Sequence, residues 1–176
     1  MNIILTGYMG CGKSTVAAEL KKLTGLEVLD TDKRIEEEEG MSISRIFAEK
    51  GEAFFRQLET DLLNRLLREG FEGILSTGGG MSISAGNRRL MKALGCVVYL
   101  RTMPETIAER LKHDESRPLL AGTDNEERIA RIRDMLKKRE GAYTDGADVV
   151  LDTDALAPAE LAAVVLDACK SRENTL

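Results

Sequence analysis

Gly7-Tyr8-Met9-Gly10-Cys11-Gly12-Lys13-Ser14 sets glycines ahead of a lysine and a hydroxyl in the pattern G-x-x-x-x-G-K-[ST]. Glycines at these points let the backbone curl with its N–H groups turned inward, where they suit phosphate oxygens. Lys13 adds a charge that can reach β- and γ-phosphates, and the Ser14 hydroxyl is a hard oxygen ligand for Mg²⁺. This pattern is a P-loop. Further on, Leu29-Asp30-Thr31-Asp32 brings two carboxylates close together. One near Mg²⁺ can orient a metal-bound water, and the other can take the proton of an attacking hydroxyl. Either aspartate also fits the N-cap of a following helix. A third group, Gly78-Gly79-Gly80, lets backbone N–H groups approach a ligand where any Cβ would intrude.

These groups need a sheet edge to hold them, and the elements around them supply one. Short apolar runs alternate with stretches of helical period, the pattern of an α/β protein with a largely parallel sheet. Strands are expected over Asn2–Thr6, Leu26–Asp30, Gly73–Ser76, Cys96–Arg101 and Asp148–Asp152. Helices are expected over Ser14–Leu23, Thr31–Glu39, Ser42–Glu49, Glu52–Glu69, Ser84–Ala93, Pro104–Lys112, Asn125–Arg139 and Pro158–Lys170. Phe55, Leu58, Leu62 and Leu66 share one face of the longest early helix. The P-loop then follows a strand and opens a helix, as its chemistry requires. Asp30, Asp32 and the glycine triplet fall at strand ends, the carboxyl edge where open α/β sheets bind ligands. His113–Asp124 has many turn formers and no period, which reads as a lid loop. The run Glu36–Glu39 reads as the solvated end of a helix rather than a metal site.

Composition narrows the function further. The 176 residues suit one domain, 1–176, with 43% hydrophobic and 31% charged residues. With 25 basic and 30 acidic residues the net charge is −5, the charges are interspersed, and no Trp is present, so a nucleic-acid partner is not expected. One histidine, His113, leaves little for Ser-His-Asp or histidine-metal chemistry. Three cysteines without CxxC spacing argue against a disulfide framework or zinc site. No secretory signal pattern or apolar span of ~20 residues is present, so a cytoplasmic protein without a membrane partner is expected. Cys11, beside Lys13 and a helix N-terminus, is expected to be more reactive than Cys96 in its buried strand, and to be shielded by bound nucleotide. The chain lacks the N-K-x-D of guanine-specific GTPases. A small P-loop protein with a lid favours a kinase for a small acceptor.

In order along nearly the whole chain stand Gly-x-x-Gly-x-Gly-Lys-Ser-Thr, ending at Thr15, then Leu29-Asp30-Thr31-Asp32, then Gly40-Met41-Ser42-Ile43-Ser44-Arg45-Ile46-Phe47. Gly51-Glu52-Ala53-Phe54-Phe55-Arg56-Gln57-Leu58-Glu59, Gly78-Gly79-Gly80 and Arg117-Pro118-Leu119-Leu120 follow. Together these resemble the shikimate kinase family. The resemblance implies a P-loop NTPase fold, nucleoside-monophosphate-kinase-like, with a five-stranded parallel sheet of order 2-3-1-4-5. It implies ATP-dependent phosphorylation of the 3-hydroxyl of shikimate, a step of aromatic amino-acid biosynthesis, with ATP as co-substrate and one Mg²⁺. Asp32 is implied as the base and Asp30 as part of the Mg²⁺ shell with Ser14. Arg56 and Arg139 are implied as the clamp on the shikimate carboxylate, for which a planar fork is suited. Glu59, one turn beyond Arg56, can orient that guanidinium. Gly78, Gly79 and Gly80 fall to the shikimate site, with Gly79 the direct contact. Nucleotide binding falls to Gly10, Cys11, Gly12, Lys13, Ser14, Thr15, Arg110, Arg117 and Pro158, with Lys13 and Arg117 also aiding transfer. Where some family members carry a basic residue bordering adenine, this chain reads Thr153-Asp154-Ala155-Leu156-Ala157-Pro158. A monomer is expected. The alternatives are a same-fold kinase for another carboxylated polyol such as gluconate, and a nucleotide-dependent regulatory protein without transfer chemistry.

Overall fold

A computed structural model of the chain describes residues 1–112 and 124–174. The segment 113–123, which carries most of the expected lid together with Arg117, lies outside the described residues. In chain order the elements are β1 (Ile3–Thr6), α1 (Lys13–Thr24), β2 (Val28–Asp30), α2 (Thr31–Glu39), α3 (Ile43–Lys50), α4 (Glu52–Glu69) and β3 (Ile74–Ser76). A 3-10 turn over Met81–Ile83 precedes α5 (Ala85–Leu94), β4 (Cys96–Arg101), α6 (Pro104–Leu111), α7 (Asn125–Gly146), β5 (Val149–Asp152) and α8 (Pro158–Glu173).

The five strands form one parallel sheet in the order β2-β3-β1-β4-β5, as the resemblance implied. β1 lies in the middle, with Ile3 beside both Ile74 and Cys96. Its residues are all buried, which explains a continuous apolar run in place of alternation. Ile3 and Leu5 face one layer, packed with Val16 and Leu20 of α1 and Leu161 and Val165 of α8. Ile4 faces the other, with Leu62, Leu63 and Leu66 of α4 and Met91 of α5. Each such aliphatic side chain contributes roughly 1.5–3 kcal/mol when fully buried. A third cluster, Tyr8, Tyr99, Ile107, Ile132 and Tyr143, lies where α6 and α7 meet the sheet. The chain leaves β1 between β3 and β4, and such a reversal of strand order opens a crevice at the carboxyl edge.

Expected and observed elements agree within a few residues, except that α7 continues past Arg139 to Gly146. Residues 140–146 carry two glycines and weak periodicity, and each internal glycine costs about 1 kcal/mol in a helix. Burial of Tyr143 against Tyr99 offsets that cost, and Gly146 lies close to Arg88, where a Cβ would fall 2.8 Å from Cδ and push that side chain aside. Three of the four Glu36–Glu39 carboxylates have partners, and Glu37 is exposed. Glu38 takes Arg34 and Arg65, Glu39 takes Lys50, and Glu36 accepts the Ile43 N–H.

Candidate active site

A cavity of about 580 Å³ opens at the carboxyl edge. It is lined by Gly10, Cys11, Gly12, Lys13, Ser14 and Thr15 of the phosphate loop, by Asp30 and Asp32, by Gly79, and by Arg110 and Pro158. The loop is built from left-handed glycines: Gly10 has φ 74° and Gly12 φ 97°. α1 starts at Lys13 with no acidic residue in its first turn, which leaves its positive pole uncompensated. The N–H groups of Gly12, Lys13, Ser14 and Thr15 have no acceptor among the described residues, the arrangement that suits an anion. Lys13 Nζ donates to the carbonyls of Gly7 (2.7 Å) and Tyr8 (3.0 Å), so its ammonium lies across the loop. Arg110 on α6 donates to the Gly10 carbonyl at 3.0 Å and so stands at the loop's mouth.

Two observations bear in opposite directions on the reactivity expected of Cys11: Lys13 Nζ donates to its sulfur at 3.6 Å, and the side chain is buried. Its side chain is 1% exposed and belongs to the core cluster that also holds Cys96 and Cys169. Gly7 makes room for it, since a Cβ on Gly7 would lie 2.9 Å from Cys11 Sγ. The sulfur faces the core, and the Cys11 N–H donates to the Tyr8 carbonyl at 3.2 Å. All three thiols are free and buried, and Cys169 donates to Cys96 Sγ at 2.7 Å.

The two aspartates divide in role. Asp30 Oδ1 accepts from the Asp32 and Lys33 N–H groups at 3.1 and 3.2 Å, so it caps α2. Its other carboxylate oxygen is not used in that cap. Asp32 lies against the glycine turn, and a Cβ on Gly78 would fall 2.3 Å from its Oδ1. A Cβ on Gly80 would fall 2.4 Å from Arg56 Nη1, while Gly79 lies against Met9 N and the Gly7 carbonyl. The triplet therefore brings Asp32, Arg56 and the phosphate loop together: a Cβ on Gly78 or Gly80 would displace the tip of Asp32 or Arg56, whereas at Gly79 it would meet the phosphate loop at ordinary contact distance. Thr31, to which no role was assigned from sequence, accepts the Gly78 N–H at 2.9 Å. The signal was its place between the two aspartates.

Arg56 donates to Glu59 Oε2 at 2.8 Å and to Glu52 Oε1 at 3.0 and 3.2 Å. Glu59 orients it as expected, but from full burial. Its side chain is 0% exposed, on a face where Leu58 is only half-buried. Burial pushes the Glu59 carboxyl from 4.5 up to about 6, Arg56 opposing the rise and the Asp32 charge adding to it. The folded state thus binds this proton more tightly than the unfolded chain. The stabilisation is complete below about pH 4.5 and is lost as pH rises through about 6. It amounts to about 2 kcal/mol. In urea unfolding, Glu59→Gln should gain about that much on the wild type between about pH 4.5 and about pH 7. A difference that does not vary with pH would place the proton elsewhere.

Arg139, on α7, lies with its guanidinium 5.8 Å from the centre of the Tyr8 ring. Pro158 opens α8 at the cavity wall. In the loop before it, Asp154 accepts the Met103 N–H at 3.1 Å and Thr153 hydroxyl pairs with Thr102 at 2.6 Å. The acidic residue that departs from the family pattern therefore ties two loops together. Arg117 alone among the predicted site residues lies outside the described residues.

Ser14 and Asp30 line the same cavity, and among the described residues no group of three or more His, Cys, Asp or Glu side chains is placed to hold a metal ion. That donor set fits Mg²⁺ carried largely by nucleotide phosphates and water, and no protein cage for a metal alone. No helix among the described residues is long and apolar enough to cross a membrane.

The family model for shikimate kinase matches residues 9–170. The chain is 39% identical to the shikimate kinase of Histophilus somni over 167 residues, 94% of this chain and 93% of that one. It is 44% identical to that of Halorhodospira halophila over 152 residues, 86% and 83% of the two chains. Its structure is similar to that of shikimate kinase from Acinetobacter baumannii in complex with shikimate. There the TM-score is 0.86, at 40% identity, over 97% and 93% of the chains. A gluconokinase from Sinorhizobium meliloti shares the fold at a TM-score of 0.56 and 16% identity, over 99% and 94% of the chains.

Proposed function

The chain belongs to the shikimate kinase family, and from that membership we propose in-line transfer of the γ-phosphoryl of ATP to the 3-hydroxyl of shikimate, with Asp32 as proton acceptor. Phosphorylation of shikimate with ATP is its activity, within aromatic amino-acid biosynthesis. One observation carries the assignment of residues. Gly78 packs on Asp32, Gly80 on Arg56 and Gly79 on the phosphate loop, so a base, a carboxylate clamp and a phosphate cradle meet at one turn.

In this reading the α1 N-terminus and Lys13 bind the nucleotide phosphates, Lys13 exchanging the Gly7 and Tyr8 carbonyls for phosphate oxygens. Ser14 and Asp30 would hold Mg²⁺, which when bound neutralises charge on the β- and γ-oxygens. Arg56 and Arg139 hold the acceptor's carboxylate, which turns one hydroxyl toward Asp32. Asp32 takes the hydroxyl proton as the oxygen attacks phosphorus. Arg110 and Pro158 border the nucleotide, and Arg117 is assigned to the transferring phosphoryl group by family resemblance. A cytoplasmic monomer fits a small-molecule kinase whose acceptor site is assembled within one chain.

Coupled ADP release with shikimate, gluconate and no acceptor tests the proposal. Release should depend on shikimate. Release with gluconate alone would favour the other polyol, and none with any acceptor would favour a regulatory protein. Arg56→Lys and Arg139→Lys should each raise KM for shikimate by at least about tenfold and leave KM for ATP within about twofold, because an ammonium cannot reproduce a bidentate fork. The reverse pattern would move the carboxylate clamp elsewhere.

A further inference from the structure

Tyr143 stands 64 residues from Gly79 in the chain, yet its hydroxyl donates to the Gly79 carbonyl oxygen. Its ring is 0% exposed and stacked on Tyr99, with centroids 4.9 Å apart and planes inclined by 25°. Burial holds the phenol well above its ordinary titration range, the Arg139 cation opposing, so the group remains an O–H donor at any working pH.

What it holds matters more than that it is satisfied. The Gly79 carbonyl belongs to the planar peptide that joins Gly79 to Gly80, so fixing its oxygen fixes the direction of the Gly80 N–H. Neither the Gly79 nor the Gly80 N–H has an acceptor among the described residues. A run of three glycines has wide backbone freedom, and without restraint those two donors would sample many directions. Thr31 holds the Gly78 N–H and the Met81 N–H holds the Gly78 carbonyl at 3.1 Å, which fixes the Gly78–Gly79 peptide; the next peptide, which carries the Gly80 N–H, is held through the Gly79 carbonyl by Tyr143. Tyr143 also lies four residues beyond Arg139, on the same side of α7. One helix therefore presents an arginine of the clamp and the group that sets the turn opposite it.

We propose that the Tyr143 hydroxyl is a positioning group for the acceptor site: by holding the Gly79 carbonyl it aims the Gly79–Gly80 peptide and registers the glycine turn against α7 and Arg139. This rests on the reading of Gly78–Gly80 as the shikimate-binding turn. The residue does not touch the reacting atoms. It acts by limiting the conformations the turn must give up on binding.

Tyr143→Phe tests this, because it keeps the ring and its stack and removes one oxygen. KM and Kd for shikimate should rise about tenfold, the reach of one buried hydrogen bond. KM for ATP should stay within about twofold and kcat within about threefold. Hydrogen–deuterium exchange should quicken in a peptide spanning Gly78–Met81 and not in the phosphate loop. Unchanged shikimate KM, or both KM values rising together, would overturn the role. So would a Tm loss above about 10 °C with unaltered shikimate Kd, which assigns the hydroxyl to stability alone. The wild type in the same assay separates this inference from the reading beneath it. If the wild type phosphorylates shikimate and the variant matches its KM, only the positioning role fails. If the wild type does not accept shikimate, both fail.

Discussion

Asp32→Asn should fold normally and lose on the order of 100-fold or more in kcat, the upper part of the range that general-base catalysis spans. The swap is nearly isosteric, so it fits the space that Gly78 leaves for this side chain, where a Cβ would sit 2.3 Å from Oδ1. The α2 cap is supplied by Asp30 and does not depend on the Asp32 carboxylate. Removing one negative charge from the first turn of α2 costs roughly 0.3–1 kcal/mol, well short of unfolding a domain of this size. The amide can still hydrogen-bond the acceptor hydroxyl but cannot take its proton. Shikimate affinity should therefore fall much less than turnover, and calorimetric titration alongside steady-state rates reads the two separately. A folded Asp32→Asn protein with near-normal kcat would remove Asp32 from the role of base.

The parts of the fold and site that depend on local chemistry were legible in the chain. Five apolar runs became five strands of one parallel sheet, the three central ones almost wholly buried and the edge strands β2 and β5 only partly so, and the P-loop glycines took left-handed angles that the lack of a Cβ makes cheap. Asp32 and the glycine triplet are legible as separate motifs and Arg56 only through the family resemblance, and the sheet edge brings the three together. What escaped depends on contacts between distant residues. In the sequence Tyr143 is one aromatic in a polar, glycine-bearing stretch, and its packing on Tyr99 and its bond to Gly79 are visible only once distant parts of the chain are brought together. Glu59 was assigned its partner from helical spacing, but its full burial comes from the turn of α4 toward the core, which also draws in Leu63 and leaves Leu58 partly outside. Sequence places Cys11 beside Lys13, and the ammonium does reach its sulfur at 3.6 Å, whereas its burial depends on the missing Cβ of Gly7, which sequence neighbours do not reveal.

Gly80→Ala should raise KM for shikimate by roughly 30-fold or more and leave KM for ATP within about twofold. Gly80 has φ −103° and ψ −9°, a conformation open to alanine, so the backbone contributes no strain. Replacing glycine there even lowers the entropy of the unfolded chain, worth about 0.4–1 kcal/mol toward stability. The whole effect must come from the added methyl group, which would lie 2.4 Å from Nη1, 2.5 Å from Nη2 and 2.7 Å from Cζ of Arg56. An arginine tip can usually move aside. This one is held by Glu59 on one side and Glu52 on the other, and withdrawal would strip the buried Glu59 carboxylate of its counter-charge. Displacing the guanidinium loses a charge-assisted contact to the acceptor carboxylate worth about 2–3 kcal/mol, and about 1.4 kcal/mol corresponds to a factor of ten in affinity. The phosphate loop is contacted through Gly79, not Gly80, so nucleotide binding should be spared. Steady-state kinetics with each substrate varied in turn, together with a melting curve, measures the effect. A folded Gly80→Ala enzyme with shikimate KM within about twofold of the wild type would mean that Arg56 holds no part of the acceptor from the position the structure gives it.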